Sequence, residues 1–210
     1  MITILASLVM LAGPAEKDLV ALARQYNASC LAKPRCAELR GKYLTRKALR
    51  PIVREIKHQA RRLNISPLFF MAWVQSESEF VSDAVSQYNG VKPHPTDPWN
   101  KPPKGHRTWR GLDFGLGQIH VPSRWAPKGT WQEIQRLRDP VQNIKILAEW
   151  VSLSRDGCRV RPFKKCRVME QLTGVPVYRR PGRMGGLYSQ GLRFLKIRNK
   201  VTKRRQPHSH

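Results

Sequence analysis

Acidic residues are scarce in this chain of 210 residues: 14 Asp and Glu stand against 39 Lys and Arg, for a formal net charge of +25. A surface so poor in negative charge favours a polyanionic partner or substrate, while saying little about fold. Long hydrophobic runs are also missing. Nothing approaches the ~20 apolar residues needed to span a bilayer, which excludes a polytopic membrane protein. There is no G-x-x-x-x-G-K-[ST] phosphate loop, no G-x-S-x-G nucleophile elbow and no H-E-x-x-H zinc motif. Helix-turn-helix, zinc-finger and aromatic RNA-binding signatures are absent as well, so the basic charge does not by itself point to nucleic acid. No internal repeat is visible. What the chain does have is 40% hydrophobic residues and six tryptophans, enough for a packed core, which excludes wholesale disorder. Its length suits one substantial domain.

The charge is uneven. From Gly157 to His210 there are 15 basic residues and one acid, Glu170, so the last quarter of the chain carries more than half of the excess. This region reads either as a solvated face with a basic tail over 202–210 or as an adhesive surface for a polyanion. At the other end, Ile2 to Ala12 is almost wholly apolar and is followed by Gly13-Pro14-Ala15. Residues 1–15 therefore read as a secretory signal peptide cleaved after Ala15, although no Lys or Arg precedes the apolar run. An N-terminal core helix is the other reading. Four cysteines, Cys30, Cys36, Cys158 and Cys166, fit an exported protein with two disulfides, most simply as local pairs. Three connectivities remain open, as do buried thiols. Neither spacing matches a structural zinc site.

Helical signals dominate. Leu49, Ile52, Val53, Ile56, Ala60 and Leu63 fall on one helical face, with charged residues opposite. Pro51 reads as a first-turn proline. Ser66-Pro67 reads as an N-cap and first-turn proline opening a helix through Leu68, Phe69, Met71, Ala72, Trp73 and Val74. That stretch is apolar nearly all round, as a buried central helix should be. Thr130 to Glu133 matches a capping box, and Asp139-Pro140 opens a helix carrying Val141, Ile144, Leu147, Ala148 and Val151. A last helix is expected from about Leu187 to Val201. No strand signal is comparable. Between Gln87 and Phe114 lies an irregular stretch with five prolines and Trp99 and Trp109. The expected fold is mainly α, in one domain.

Glu77 stands at the C-terminal end of the apolar helix. Apolar neighbours and the negative end of the helix dipole both disfavour an ionised carboxyl there. A carboxylic acid that keeps its proton near neutral pH can protonate a leaving oxygen, as cleavage of a glycosidic bond requires. The segment Glu77-Ser78-Glu79-Phe80-Val81-Ser82-Asp83-Ala84-Val85-Ser86 resembles the E-S-x-F-x-x-x-A-x-S motif of lytic transglycosylases with a lysozyme-like (soluble lytic transglycosylase) domain. Asp113-Phe114-Gly115-Leu116-Gly117-Gln118-Ile119 is similar to that family's G-L-M-Q-I motif, and Asp113 looks most like its specialised wall-opening members. Asp139-Pro140-Val141-Gln142-Asn143-Ile144 resembles the D-P-x-x-N-I start of its next core helix. The three motifs occur in family order over roughly Ile65 to Leu153.

The resemblance implies a peptidoglycan lytic transglycosylase that needs no cofactor. Glu77 matches the single catalytic acid/base, Ser78 the serine that orients it and contacts substrate, and Gln118 the glutamine that bonds the sugar near the cleavage point. Tyr188, in Leu187-Tyr188-Ser189, matches the A-Y-N tyrosine only dimly. Gly117 replaces the usual methionine, and the stretch 87–114 is an insertion longer than the family's turn. The implied domain runs over 49–201, after an N-terminal helical extension at 16–48. The implied partners are peptidoglycan glycan strands and anionic wall polymers, with nucleic acid not favoured and a monomer expected. A secretion, conjugation or virion assembly is the implied context, and the periplasm or cell envelope the expected location, with virion association as the alternative. A hydrolytic lysozyme and a non-catalytic wall-binding or DNA-binding protein on the same fold are the competing readings.

Two carboxylates are the usual requirement for a glycosidase. Glu79 does not share a helix face with Glu77, and nothing in the sequence brings Asp83 or Asp113 to it. Trp99, Trp109, Trp125 and Trp131 are candidates to stack on sugars or simply to pack, whereas Trp73 and Trp150 are expected to be structural. His94, His106 and His120 lack metal-ligand spacing, so no metal is expected.

Overall fold

The computed structural model describes residues 14–32, 44–87, 112–121, 131–161, 163–173, 175–177 and 181–204. Residues 1–13 of the expected signal segment 1–15, Cys36, Thr130, residues 205–210 of the expected tail 202–210 and most of the stretch between Gln87 and Phe114 lie outside the described residues, while 202–204 belong to the last helix. Seven helices and three short strands are present among those described: α1 (Glu16–Leu31), α2 (Arg46–Arg62), α3 (Pro67–Ser78), β1 (Val85–Gln87), β2 (Leu112–Phe114), β3 (Ile119–Val121), α4 (Trp131–Arg138), α5 (Pro140–Val160), α6 (Lys164–Thr173) and α7 (Pro181–Arg204). The protein is mainly helical, and no described helix is long and apolar enough to cross a membrane.

Helix α2 begins earlier than Pro51 suggests. The Thr45 hydroxyl accepts from the Ala48 N–H at 3.2 Å and caps the helix, which leaves Pro51 inside it. Pro51 is exposed. Lys47, whose carbonyl the missing N–H would have engaged, is exposed as well, which limits the usual cost of an interior proline. The amphipathic reading of α2 holds: Leu49, Ile52, Val53, Ile56 and Ala60 are buried. Helix α3 opens at Pro67 as expected, with Ser66 in the N-cap position, although the Ser66 side chain makes no cap bond. Its residues from Leu68 to Gln75 are all buried, because α1, α2 and α7 pack around it. Asp139 caps α5 by accepting from the N–H groups of Val141 at 2.8 Å and Gln142 at 3.2 Å. The last helix starts at Pro181, six residues ahead of Leu187.

One hydrophobic core joins these helices. Leu19, Leu22, Ala23 and Tyr26 of α1 belong to the same buried cluster as Leu68–Val74 of α3 and Ile144, Leu147, Ala148 and Val151 of α5. At about 1.5–3 kcal/mol per large buried side chain, α1 contributes to the stability of the whole unit. Gly191 lets α7 approach closely: a Cβ there would stand 2.7 Å from Leu68 Cδ1 and 3.3 Å from the Tyr26 hydroxyl.

The strands form an antiparallel sheet in the order β1-β2-β3, which the sequence did not reveal. Val85 pairs with Phe114 and Gln87 with Leu112, so both ends of the irregular stretch are strand residues lying side by side. Leu112 and Phe114 of β2 and Ile119 and Val121 of β3 turn inward and are buried, while Asp113 and His120 share the other face. A disulfide joins Cys158, near the end of α5, to Cys166 in α6, one of the two local pairings anticipated. Cys30 is disulfide-bonded as well.

Candidate functional site

The end of α3 is built around Glu77. The Trp73 indole N–H, one turn earlier, donates to Glu77 Oε1 at 2.9 Å. Residues four apart share a helix face, so this contact follows from the helix itself. The indole is held in turn: Trp73 is 4% exposed, and its ring meets Phe69 edge-on at 5.8 Å. Trp73 is thus a packing residue, as expected, and also the residue that fixes the Glu77 carboxyl, which the sequence reading missed. The i, i+4 spacing was the available signal. The N–H donated to Oε1 orients the carboxyl group. Glu77 itself is half-buried, neither sealed in the core nor out in solvent.

Ser78 is buried at 5% exposure, and its hydroxyl donates back to the Val74 carbonyl at 3.3 Å. Beyond it the chain reverses sharply. Glu79 and Phe80 are both left-handed, with φ of 53° and 62°. For non-glycine residues such backbone costs on the order of 1–3 kcal/mol each and persists only where the surroundings enforce it. Here they do. Phe80 is wholly buried and stacks on Tyr26 at 5.9 Å, and its carbonyl accepts from Asn27 Nδ2 at 3.0 Å. The Asn27 Oδ1 atom accepts from the Leu44 N–H at 2.9 Å, which fastens the α1 side of the turn to the start of α2. Burial pushes the Tyr26 hydroxyl up to about 12.

The β2–β3 turn, Gly115 to Gln118, meets this strained segment. Gly115 N–H donates to the Ala84 carbonyl at 2.8 Å, and Gln118 Nε2 donates to the same carbonyl at 3.2 Å and to Gly115 O at 2.8 Å. Gln118 is itself left-handed, with φ of 47°. Both its amide hydrogens are therefore engaged in shaping the turn. Among the described residues, nothing donates to its side-chain carbonyl.

Asn143 of α5 locks the turn from beneath. It is fully buried, accepts from the Gly117 N–H at 2.6 Å, and donates to the carbonyls of Phe114 at 3.0 Å and Leu137 at 2.9 Å. The two glycines exist to admit it. A Cβ on Gly115, where φ is 73°, would fall 2.2 Å from Asn143 Nδ2, and one on Gly117 would fall 2.9 Å from Leu147 Cβ. The space where a side chain at 117 would stand is filled by α5.

The structure thus connects three segments that are far apart in sequence: residues 77–84, the turn 115–118 and Asn143. Tyr188 is half-buried on α7, packed at the edge of the core, and makes no hydrogen bond to Glu77 or Gln118 among the described residues. Asp83 accepts from the Ser82 hydroxyl at 3.3 Å. Asp113 accepts from or shares a proton with His120 Nδ1 at 2.9 Å across the β2–β3 pair. Trp150 is half-buried against the core, and Trp131 opens α4. Trp99, Trp109, Trp125, His94 and His106 lie outside the described residues. Among the described residues no group of three or more His, Cys, Asp or Glu could hold a metal ion. Compared with protein-family models, with curated proteins and with solved structures, the chain matches none.

Proposed function

We propose that this protein is a peptidoglycan lytic transglycosylase with a lysozyme-like fold, exported to the cell envelope, in which Glu77 is the sole acid/base and the stretch 87–114 is an insertion. The observation that carries the reading is the direct bonding among the segments that resemble the family's motifs. Ala84 of the first is held by Gly115 and Gln118 of the second, and Phe114 and Gly117 of the second by Asn143 of the third. The left-handed residues Glu79, Phe80 and Gln118 gather in these same segments, as strained backbone commonly does at functional sites.

In this reading Glu77 protonates the oxygen between N-acetylmuramic acid and N-acetylglucosamine, and the C1–O bond breaks. The carboxylate, still held at Oε1 by Trp73, then takes the proton from the muramic C6 hydroxyl as that oxygen bonds to C1. The product is a 1,6-anhydro ring, and no water is consumed. The nucleophile belongs to the same sugar, so proximity replaces a second carboxylate. Gln118 presents its carbonyl oxygen to the sugar.

The experiment is Glu77→Gln in the full chain, assayed by zymography and by turbidity of a peptidoglycan suspension. Activity should fall by at least about 10²–10⁴ with an unchanged thermal melt, since an acid/base is lost without loss of packing. Undiminished clearing would overturn the assignment. Mass spectrometry of the digest separates anhydro ends from the reducing ends that a hydrolytic lysozyme would leave. Lack of any clearing by the unaltered protein would favour a wall-binding or DNA-binding role instead.

A further inference from the structure

A second feature lies between the N-terminal ends of α1 and α2. The N-cap Ala15 and Glu16, Lys17 and Val20 of α1 face Arg46, Arg50 and Arg54 of α2 across a cavity of about 400 Å³. The three arginines recur every four residues and so form one row along the helix. Like charges at this spacing repel, and the first turn of α2 holds no acid to offset the positive end of its dipole. The row therefore works against the helix that carries it.

The nearby acids do not relieve it. Glu16 is taken by Arg54, whose Nε lies 3.1 Å from both carboxylate oxygens. Asp18 is taken by Arg198 of α7 at 2.5 Å. Arg46, Arg50 and Lys17 have no acidic partner among the described residues. Three cations without an acidic partner among the described residues thus line one hollow, two of them guanidinium groups whose paired N–H donors match phosphate or carboxylate oxygens. A surplus of three charges selects the more highly charged of those anions.

We propose that this cavity binds a phosphoryl-bearing ligand through Arg46, Arg50 and Lys17. Neither Glu77 nor any residue of the basic stretch 157–210 lines the cavity, and the proposal does not depend on the glycan chemistry. The Glu16–Arg54 pair is also part of its lining.

The test is calorimetric titration of the full chain at low salt with orthophosphate, pyrophosphate and a sugar phosphate. Saturable binding near one equivalent is expected for at least one of them. A sugar phosphate that binds tighter than the inorganic anions identifies a phosphorylated metabolite as the source; equal binding identifies the bare group. Arg46→Gln and Arg50→Gln should each weaken binding about tenfold or more. Arg193→Gln with Lys196→Gln, on the exposed face of α7, should leave it unchanged. The melting temperature of ligand-free Arg50→Gln should hold or rise, because a repulsion is removed; this confirms that the variant folds. Absence of saturable binding by all three ligands, or equal losses from the α7 control, would overturn the proposal.

Discussion

Replacing Asn143 with alanine is the most severe local test of the site's architecture. The side chain is fully buried and satisfies three backbone groups at once: the N–H of Gly117 and the carbonyls of Phe114 and Leu137. Each buried group left without a partner costs about 1–3 kcal/mol. Water entering the vacated space would recover part of that, so a net loss of about 4 kcal/mol is expected. For a protein of this size that lowers the melting temperature by roughly 10 °C. Urea denaturation should show a reduced midpoint with an unchanged slope, since the surface exposed on unfolding hardly changes. Wall clearing should fall further than stability does, because the turn that carries Gln118 loses its support. A stability loss below about 1 kcal/mol would show that the turn holds itself and that the latch argument is wrong.

Other substitutions separate packing from function. Trp73→Phe keeps the buried ring but removes the N–H, so clearing should drop about 10- to 100-fold with little change in the melt, the worth of one hydrogen bond to a charged group; unchanged activity would remove Trp73 from the site. Paired Cys158→Ser and Cys166→Ser changes open a short loop, with a sequence separation of 8, and should cost about 2–3 kcal/mol by loop-closure entropy, read as a lower urea midpoint. Tyr26 holds its proton more tightly when folded than the ordinary phenol near 10, so stability should fall as pH rises from about 10 towards 12 and be fully present below that window. Tyr26→Phe should flatten that alkaline limb in melts taken across the window; an identical limb would place its cause elsewhere.

The helices were legible where periodicity and capping agreed. Helix α2 showed a clean apolar stripe, α3 an unbroken apolar run after Ser66-Pro67, and α5 an Asp-Pro start, and all three formed where expected. Pro51 misled because a tolerated interior proline looks like a first-turn one until Thr45 is seen to cap the helix. The strands were invisible for a plainer reason. Three residues cannot display an alternating pattern, and the sheet is defined by pairing between segments far apart in the chain. Helix α6 gave no signal strong enough to register; it is short and cationic, and it is tied to α5 by the disulfide. At the site, Glu77 and Gln118 stood out as residue types in a pattern. The roles of Trp73 and Asn143 depend on which hydrogen bonds close in three dimensions, and the strain at Phe80 on what Tyr26 and Asn27 enforce.

Gln87 and Leu112 face each other across the β1–β2 pair. Whatever residues 88–111 do, they are spliced into the molecule at a single seam whose two lips are already joined. Such a seam tolerates exchange: its contents can lengthen, shorten or change chemistry while Glu77, the 115–118 turn and Asn143 keep their places. A foreign peptide grafted between Gln87 and Leu112 would enter at that joined pair.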